Sequence, residues 1–123
     1  THVKSVDVVD ADTVSISLAE ATLRNAGLAE NIVVDCSHAN SLKNPKLQPL
    51  VLHDCAHQIL RGNKSIVGVM VESFLEEGHQ PIPADLSQLR YGCSVTDACL
   101  GWEDTAAMIR ETRNLLKEAL PRR

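Results

Sequence analysis

Aromatic residues are nearly absent from this sequence of 123 residues, which contains one Phe, one Tyr and one Trp. Basic residues are also outnumbered, because 12 Lys and Arg stand against 16 Asp and Glu and leave a net charge of −4. Nucleic-acid-binding surfaces combine clustered positive charge with aromatic side chains that stack on bases. We therefore expect no nucleic-acid partner.

Long apolar segments are missing as well. No stretch of the sequence approaches the roughly 20 residues that a membrane-spanning helix needs, and no secretory signal pattern is visible. The four cysteines form no CxxC pair, which argues against a zinc ribbon or a thioredoxin-like site: Cys36, Cys55, Cys93 and Cys99. Four cysteines can make two disulfides, but without a secretion signal we expect reduced thiols, no membrane partner and a cytoplasmic location.

The first third of the chain predicts a helix. Val3–Val9 fits either a short strand or an extended entry segment. A helical pattern runs over Asp12–Asn25, with Asp12 as its N-cap and Gly27 as a left-handed stop. Its buried face is predicted to contain three residues: Val14, Leu18 and Ala21.

The rest of the chain predicts strands alternating with helices. Asn31–Cys36 and Ser65–Val71 are expected to be buried parallel strands, and Pro45–Leu60 a helix between them. A long loop from Glu72 to about Trp102 precedes a last helix over Glu103–Leu120. This order is typical of βαβ units, so we expect one α/β domain with a parallel sheet.

Polar residues follow both predicted strands at their carboxyl ends, where parallel α/β folds bind ligands. His38 follows the first strand and Glu72 the second, so both are expected on one rim of the sheet. Asp97 is the loop carboxylate that we favour as their neighbour, because it follows a glycine-bounded turn and returns toward the last helix. Such a set suits Mn, Fe, Co or Zn. Two alternatives to metal binding remain open: His38 could serve only as a hydrogen-bonding residue, and Glu72 could only cap a loop.

Other candidate residues are weaker. His53 and His57 lie one helical turn apart, but the glutamate of an HExxH motif is missing and their side of the helix is polar. His79 lies in a polar loop, where substrate contact and simple exposure are both open. Ser37 precedes His38, yet the glycines of a GxSxG nucleophile elbow are missing.

Three segments resemble a known family in their order and spacing: VDCSHANSLK (Val34–Lys43), SIVGVMVESFLEEGHQ (Ser65–Gln80) and YGCSVTDACLGWEDT (Tyr91–Thr105). They resemble the C-terminal region of type I 3-deoxy-D-arabino-heptulosonate 7-phosphate (DAHP) synthases related to the feedback-inhibited microbial enzymes. The similarity runs from about Ala19 to Arg123. Residues 1–15 match poorly, and Lys4–Val9 stands where the family has an Arg-Gly-Gly segment.

The resemblance implies that residues 1–123 are the C-terminal part of a (β/α)8 TIM barrel, which usually takes about 250 residues. It also implies the first step of the shikimate pathway. In this step phosphoenolpyruvate condenses with erythrose 4-phosphate with the help of a divalent metal ion, and phosphate leaves. Family members suggest a homo-oligomer.

The family's last three metal ligands match His38, Glu72 and Asp97. Catalytic roles are implied for His38, which would help to position water, and for Asp97, which would lie near the sugar phosphate hydroxyls. The family's cysteine ligand has no counterpart among the four cysteines. Its basic phosphate-binding residues from the middle strands are also missing.

Two alternatives to this enzyme remain. The first is a non-catalytic fragment or barrel remnant that at most associates with a full-length subunit, because two strands leave open sheet edges and exposed apolar faces. The second is a related metal-dependent barrel enzyme such as octulosonate phosphate synthase, against which the segments GWEDT and DCSHAN argue.

Overall fold

The structure is a computed structural model that describes residues 12–122. Its helices and strands are, in chain order, α1 (Thr13–Asn25), β1 (Ile32–Asp35), α2 (Gln48–Leu60), β2 (Ile66–Met70) and α3 (Trp102–Leu116). This confirms the predicted mixture of alternating helices and strands. The prediction for Val3–Val9 lies outside the described residues.

The two strands pair in parallel, with Val34 opposite Val69 and Asp35 opposite Met70. Parallel strands joined by a helix end at the same rim of the sheet, so the segments after β1 and β2 begin close together. A core joins α1, α2 and the sheet: Ile16, Ala19, Leu23, Ile32, Val34, Cys55 and Ile66. A second cluster joins α2 to α3: Cys36, Val51, Leu52, Leu100 and Met108.

The buried face of α1 differs from the prediction. Val14 and Leu18 are 77% and 68% exposed, whereas Ile16, Ala19 and Leu23 contribute to the core. Apolar residues occur on more than one side of this helix, and both sets have helical spacing. Only the side that faces the two strands finds an apolar partner, and the spacing alone does not identify that side.

Strand β2 is less buried than predicted. Ile66 is buried, but Val67 is 56% exposed and Val69 is 40% exposed. Within residues 12–122 the sheet has two strands, so β2 pairs along one edge only. Parallel strands are usually covered on both faces, and the described residues supply only part of that cover. In the same part of the chain, no helix is long and apolar enough to cross a membrane.

The long segment between β2 and α3 folds back on itself through main-chain bridges. Ser73 pairs with Leu100, and Gly78 pairs with Cys99. The following helix α3 starts at Trp102 but ends at Leu116, four residues before the predicted end at Leu120. The N–H of Ala119 bonds instead to the carbonyl of Leu116 in a tighter turn. Leu120 precedes Pro121, and a residue before proline disfavours the helical conformation.

Candidate metal centre

The structure brings three of the predicted residues together at the rim of the sheet. His38 Nε2 lies 3.4 Å from Glu72 Oε1 and 3.9 Å from Asp97 Oδ2. One ligand atom from each of the three residues lies within 4.8 Å of the others, and among residues 12–122 no other set of His, Cys, Asp or Glu does this. We call this group the rim triad.

The donor atoms of the rim triad fit a divalent metal ion. One imidazole nitrogen with two carboxylate oxygens suits Mn, Fe, Co or Zn. Donor atoms 3 to 4 Å apart can share one ion, because typical ligand distances are about 2.0–2.2 Å. The carboxylates also balance the charge of such an ion, which a set of neutral ligands would not.

The turn after β1 holds His38 in an unusual backbone conformation. His38 has φ +48°, and Leu42 and Lys43 also have positive φ values. The side chain of Asn40 donates to the carbonyl of Asp35 at 2.7 Å, and the N–H of Lys43 donates to the carbonyl of His38 at 2.7 Å. Left-handed backbone at residues other than glycine costs free energy and is concentrated at functional sites.

Asp35 holds the other nitrogen of the His38 ring. Its Oδ2 lies 2.6 Å from His38 Nδ1, and its Oδ1 accepts hydrogen bonds from the N–H and hydroxyl of Ser37. Asp35 itself is buried. When Nδ1 of a neutral ring donates to this carboxylate, Nε2 carries the lone pair. This nitrogen is the one that faces Glu72 and Asp97.

These contacts change the protonation of both partners. The hydrogen bond and charge of Asp35, followed by the charge of Glu72, raise the pKa of His38. For Asp35, burial acts to raise the pKa, but the hydrogen bonds from Ser37 and His38 outweigh it and leave the pKa below its ordinary value. Asp35 is therefore ionised whenever His38 is available to bind a metal ion.

Glu72 is held through its main chain by a residue that sequence reasoning missed. Gln48 is fully buried at the start of α2, and its side-chain amide bonds to both the N–H and the carbonyl of Glu72. One feature of the sequence could have identified Gln48: it is a polar residue on the same face of α2 as the apolar Val51 and Leu52. That face packs against the core, where an unpaired amide would be costly.

Asp97 lies in a cleft of about 230 Å³ beside the rim triad. Its side chain is 73% exposed, so it is the triad member most open to solvent. Eight residues line this cleft: Ser41, Lys43, Pro45, Glu72, His79, Thr96, Asp97 and Ala98. Lys43 is the one Lys or Arg among them. His79 is the loop histidine for which the sequence left substrate contact open.

The other candidate residues do not belong to the triad. His53 and His57 face each other on α2 with their Nε2 atoms 3.2 Å apart, and in the described part of the chain no third donor joins them. Ser37 donates to Asp35 rather than acting as an exposed nucleophile. The four cysteines are free thiols, and the triad contains none of them.

Comparisons with known proteins agree on one family. The model of the DAHP synthetase I family matches residues 5–110. The Tyr-sensitive phospho-2-dehydro-3-deoxyheptonate aldolase of Escherichia coli is 43% identical over 108 residues, which are 88% of this chain and 30% of that protein. The tyrosine-inhibited enzyme of Schizosaccharomyces pombe is 46% identical over 101 residues, covering 80% of this chain and 27% of that one.

A solved structure shows the same relationship. The phospho-2-dehydro-3-deoxyheptonate aldolase of Francisella tularensis superposes with a TM-score of 0.79 at 33% identity, covering 88% of this chain and 31% of that one. The chain thus spans about 30% of the length of these three relatives.

Proposed function

Because the chain belongs to the DAHP synthetase I family, we propose that it supplies three metal ligands of a DAHP synthase. The reaction would be the metal-assisted condensation of phosphoenolpyruvate with erythrose 4-phosphate, the first step of the shikimate pathway. The observation that carries the proposal is the rim triad, in which His38 Nε2 lies within 4 Å of both carboxylates.

Each member of the triad has a role that follows from its surroundings. A divalent ion bound there would act as a Lewis acid toward the aldehyde oxygen of erythrose 4-phosphate. His38 would bind through Nε2 while Asp35 holds its Nδ1 proton. Glu72 is the more buried carboxylate, and the exposed Asp97 has room to accept hydrogen bonds from the hydroxyls of a sugar phosphate in the cleft.

The chain would form the C-terminal part of a (β/α)8 barrel. Support comes from the parallel pair β1–β2 with its covering helices and from the partly exposed strand β2. The cysteine ligand and the basic residues that bind phosphate in this family would come from barrel strands outside these 123 residues. Activity is therefore proposed for the complete barrel, which would be a cytoplasmic homo-oligomer.

One observation favours the alternative of a non-catalytic fragment. Several apolar side chains are exposed on α1 and β2, which in an intact barrel would face other elements: Val14, Leu18, Val67, Val69 and Met70. A chain with such surfaces would bind to a larger partner or aggregate rather than work alone. Metal binding and turnover must therefore be measured separately.

The test uses the purified 123-residue chain, shown to be folded by circular dichroism. Calorimetric titration with Mn²⁺ measures binding, and DAHP formation from phosphoenolpyruvate and erythrose 4-phosphate measures activity. His38→Ala should abolish binding, whereas His53→Ala, which changes a histidine on α2, should not. A folded wild-type chain that binds no Mn²⁺ would refute the metal centre. Turnover that is lost in His38→Ala would refute the fragment alternative.

A further inference from the structure

Gln48 is a buried polar residue whose two side-chain atoms serve one distant residue. Its Nε2 donates to the carbonyl oxygen of Glu72 at 2.9 Å, and its Oε1 accepts from the N–H of Glu72 at 2.8 Å. None of its surface is exposed to solvent. The side-chain amide thus bonds to both main-chain groups of Glu72, as the peptide groups of a neighbouring strand would.

Glu72 needs such a partner because it lies beyond the end of the sheet. The last residue of β2 is Met70, whose carbonyl accepts from the N–H of Cys36 at 2.8 Å. Two residues later, the carbonyl of Glu72 also accepts from the N–H of Leu100 at 3.0 Å. Gln48 and Leu100 together fix the main chain from which the Glu72 carboxylate projects toward His38.

Gln48 lies on a helix that is packed against the core. Gln48 is the first residue of α2, and the same face of the helix packs Val51 and Leu52 into the core beside Leu100. A side chain anchored on a packed helix holds its hydrogen-bond partner more precisely than a loop residue does. The position of Glu72 is therefore coupled to the packed helix α2 through Gln48, in addition to its main-chain bond with Leu100.

We propose that Gln48 is a positioning residue that sets the Glu72 carboxylate at the distance from His38 needed for metal binding. This role rests on the proposed metal centre and adds a residue outside its ligand set. Partners that orient metal ligands typically change metal affinity about 10- to 100-fold when they are removed. Gln48 acts through the main chain, so its effect requires no charge on its own side chain.

The variant Gln48→Met tests this role, since methionine has a similar length but can form neither hydrogen bond. We expect its Mn²⁺ affinity, measured by calorimetric titration of the full 123-residue chain, to fall about 10-fold or more. The absorption spectrum of bound Co²⁺ should change as well, because it reports the geometry of the ligands. Thermal unfolding by circular dichroism shows that each variant is folded during the titration.

Gln58→Met is the matched control. Gln58 is also buried on α2, but its side chain donates to Asp54 at 2.7 Å, and it does not belong to the rim triad. Both variants should lower the unfolding temperature, yet only Gln48→Met should lower metal affinity. Should Gln48→Met fail to fold, Gln48→Asn replaces it, because the shorter amide cannot reach both groups of Glu72.

The outcomes separate this role from the proposed function. If the wild type binds Mn²⁺ and the folded Gln48 variant binds it equally well, the role of Gln48 is refuted and the metal centre stands. Equal losses of affinity in the Gln48 and Gln58 variants would also refute it, because a general loss of stability would then suffice. If the folded wild type binds neither Mn²⁺ nor Co²⁺, the metal centre is refuted together with the role of Gln48.

Discussion

The imidazole of His38 lies with its Nδ1 atom 2.6 Å from Oδ2 of the buried Asp35. This contact leaves Nε2 facing the carboxylates of Glu72 and Asp97. A carboxylate behind a ligating histidine fixes both the tautomer and the orientation of the ring. Asp35 ends β1 and His38 lies three residues later in the following turn. The contact between them thus orients His38 as one ligand of the proposed centre.

Replacing Asp35 by alanine should therefore weaken metal binding without removing a ligand. We expect Asp35→Ala to lower Mn²⁺ affinity about 10- to 100-fold, measured by calorimetric titration. The exposed Asp85, which caps a short turn with its side chain, provides a control. Asp85→Ala should bind Mn²⁺ like the wild type. Unchanged affinity in a folded Asp35→Ala variant would contradict an orienting role for Asp35.

The positions of His38 and Glu72 could be predicted from the sequence because each follows an apolar strand. A helix crossover makes such strands parallel, and parallel strands end at one rim. The position of Asp97 is different. The glycine-bounded turn before Asp97 favoured it among the loop carboxylates, but no local pattern determines where a long loop returns. Only the family resemblance matched Asp97 to a metal ligand.

Contacts between distant residues could not be predicted in the same way. Gln48 meets Glu72 across 24 residues of sequence, and no local pattern specifies that pairing. The prediction for the buried face of α1 was wrong for a related reason, since Val14 and Leu18 have the same four-residue spacing as the buried Ala19 and Leu23. Which set is buried depends on where β1 and β2 lie against the helix, and this is a property of the assembled fold.

Metal binding should weaken as the pH falls, because protonated His38 cannot bind an ion. Its pKa is raised above the ordinary 6.5, mainly by Asp35 and then by Glu72. Mn²⁺ affinity should therefore begin to fall at a pH higher than an isolated histidine would require. Titrations between about pH 5 and pH 8 measure this dependence. An affinity that does not change over this range would contradict ligation by His38.

The same pair gives the metal-free chain a pH-dependent stability with a definite sign. The raised pKa of His38 contributes stability below pH 6.5 that is lost as the pH rises through the pKa of the folded state. The lowered pKa of Asp35 contributes stability above pH 3.8 that is lost on acidification. Their combined contribution should thus be largest between these values, and its loss in Asp35→Ala can be followed by urea unfolding.

Two buried thiols should resist chemical modification. Burial raises the pKa of Cys36 to about 12 and that of Cys55 to about 11. Thiolates are the reactive form, so iodoacetamide near pH 8 should modify the partly exposed Cys99 before either of them. Mass spectrometry of the native and urea-unfolded chain measures the order. Rapid modification of Cys36 in the folded chain would contradict its burial.

Alkaline conditions should destabilise the fold through the same thiols. The unfolded chain loses these protons near the ordinary pKa of 9.0, whereas the folded chain keeps them to about 12 and 11. Stability is therefore fully present below pH 9.0 and declines above it, by up to about 1.4 kcal/mol per pH unit for each thiol. Replacing Cys55 by alanine should make the decline less steep, which urea unfolding at several pH values can detect.

Gly92 should be the least replaceable glycine in the segment that carries Asp97. It has φ +77°, and a Cβ atom placed on it would lie 2.8 Å from the Cβ of Leu75. Its carbonyl also accepts from the N–H of Glu76 at 2.8 Å, so the two parts of the segment are tied together here. Gly92→Ala must therefore displace main chain, and we expect a loss of about 1–3 kcal/mol in the free energy of unfolding.

Gly27→Ala is the matched control for this variant. Gly27 has φ +67° after α1, but no atom lies within 4 Å of a Cβ placed there. The free energy of unfolding of Gly27→Ala should fall by only about 1 kcal/mol, because alanine is strained in left-handed backbone. Its Mn²⁺ affinity should not change. Gly92→Ala should lose affinity as well as stability, because the displaced segment carries Asp97 away from His38. Equal effects of both variants on urea unfolding and Mn²⁺ titration would show that the contact with Leu75 does not position this ligand.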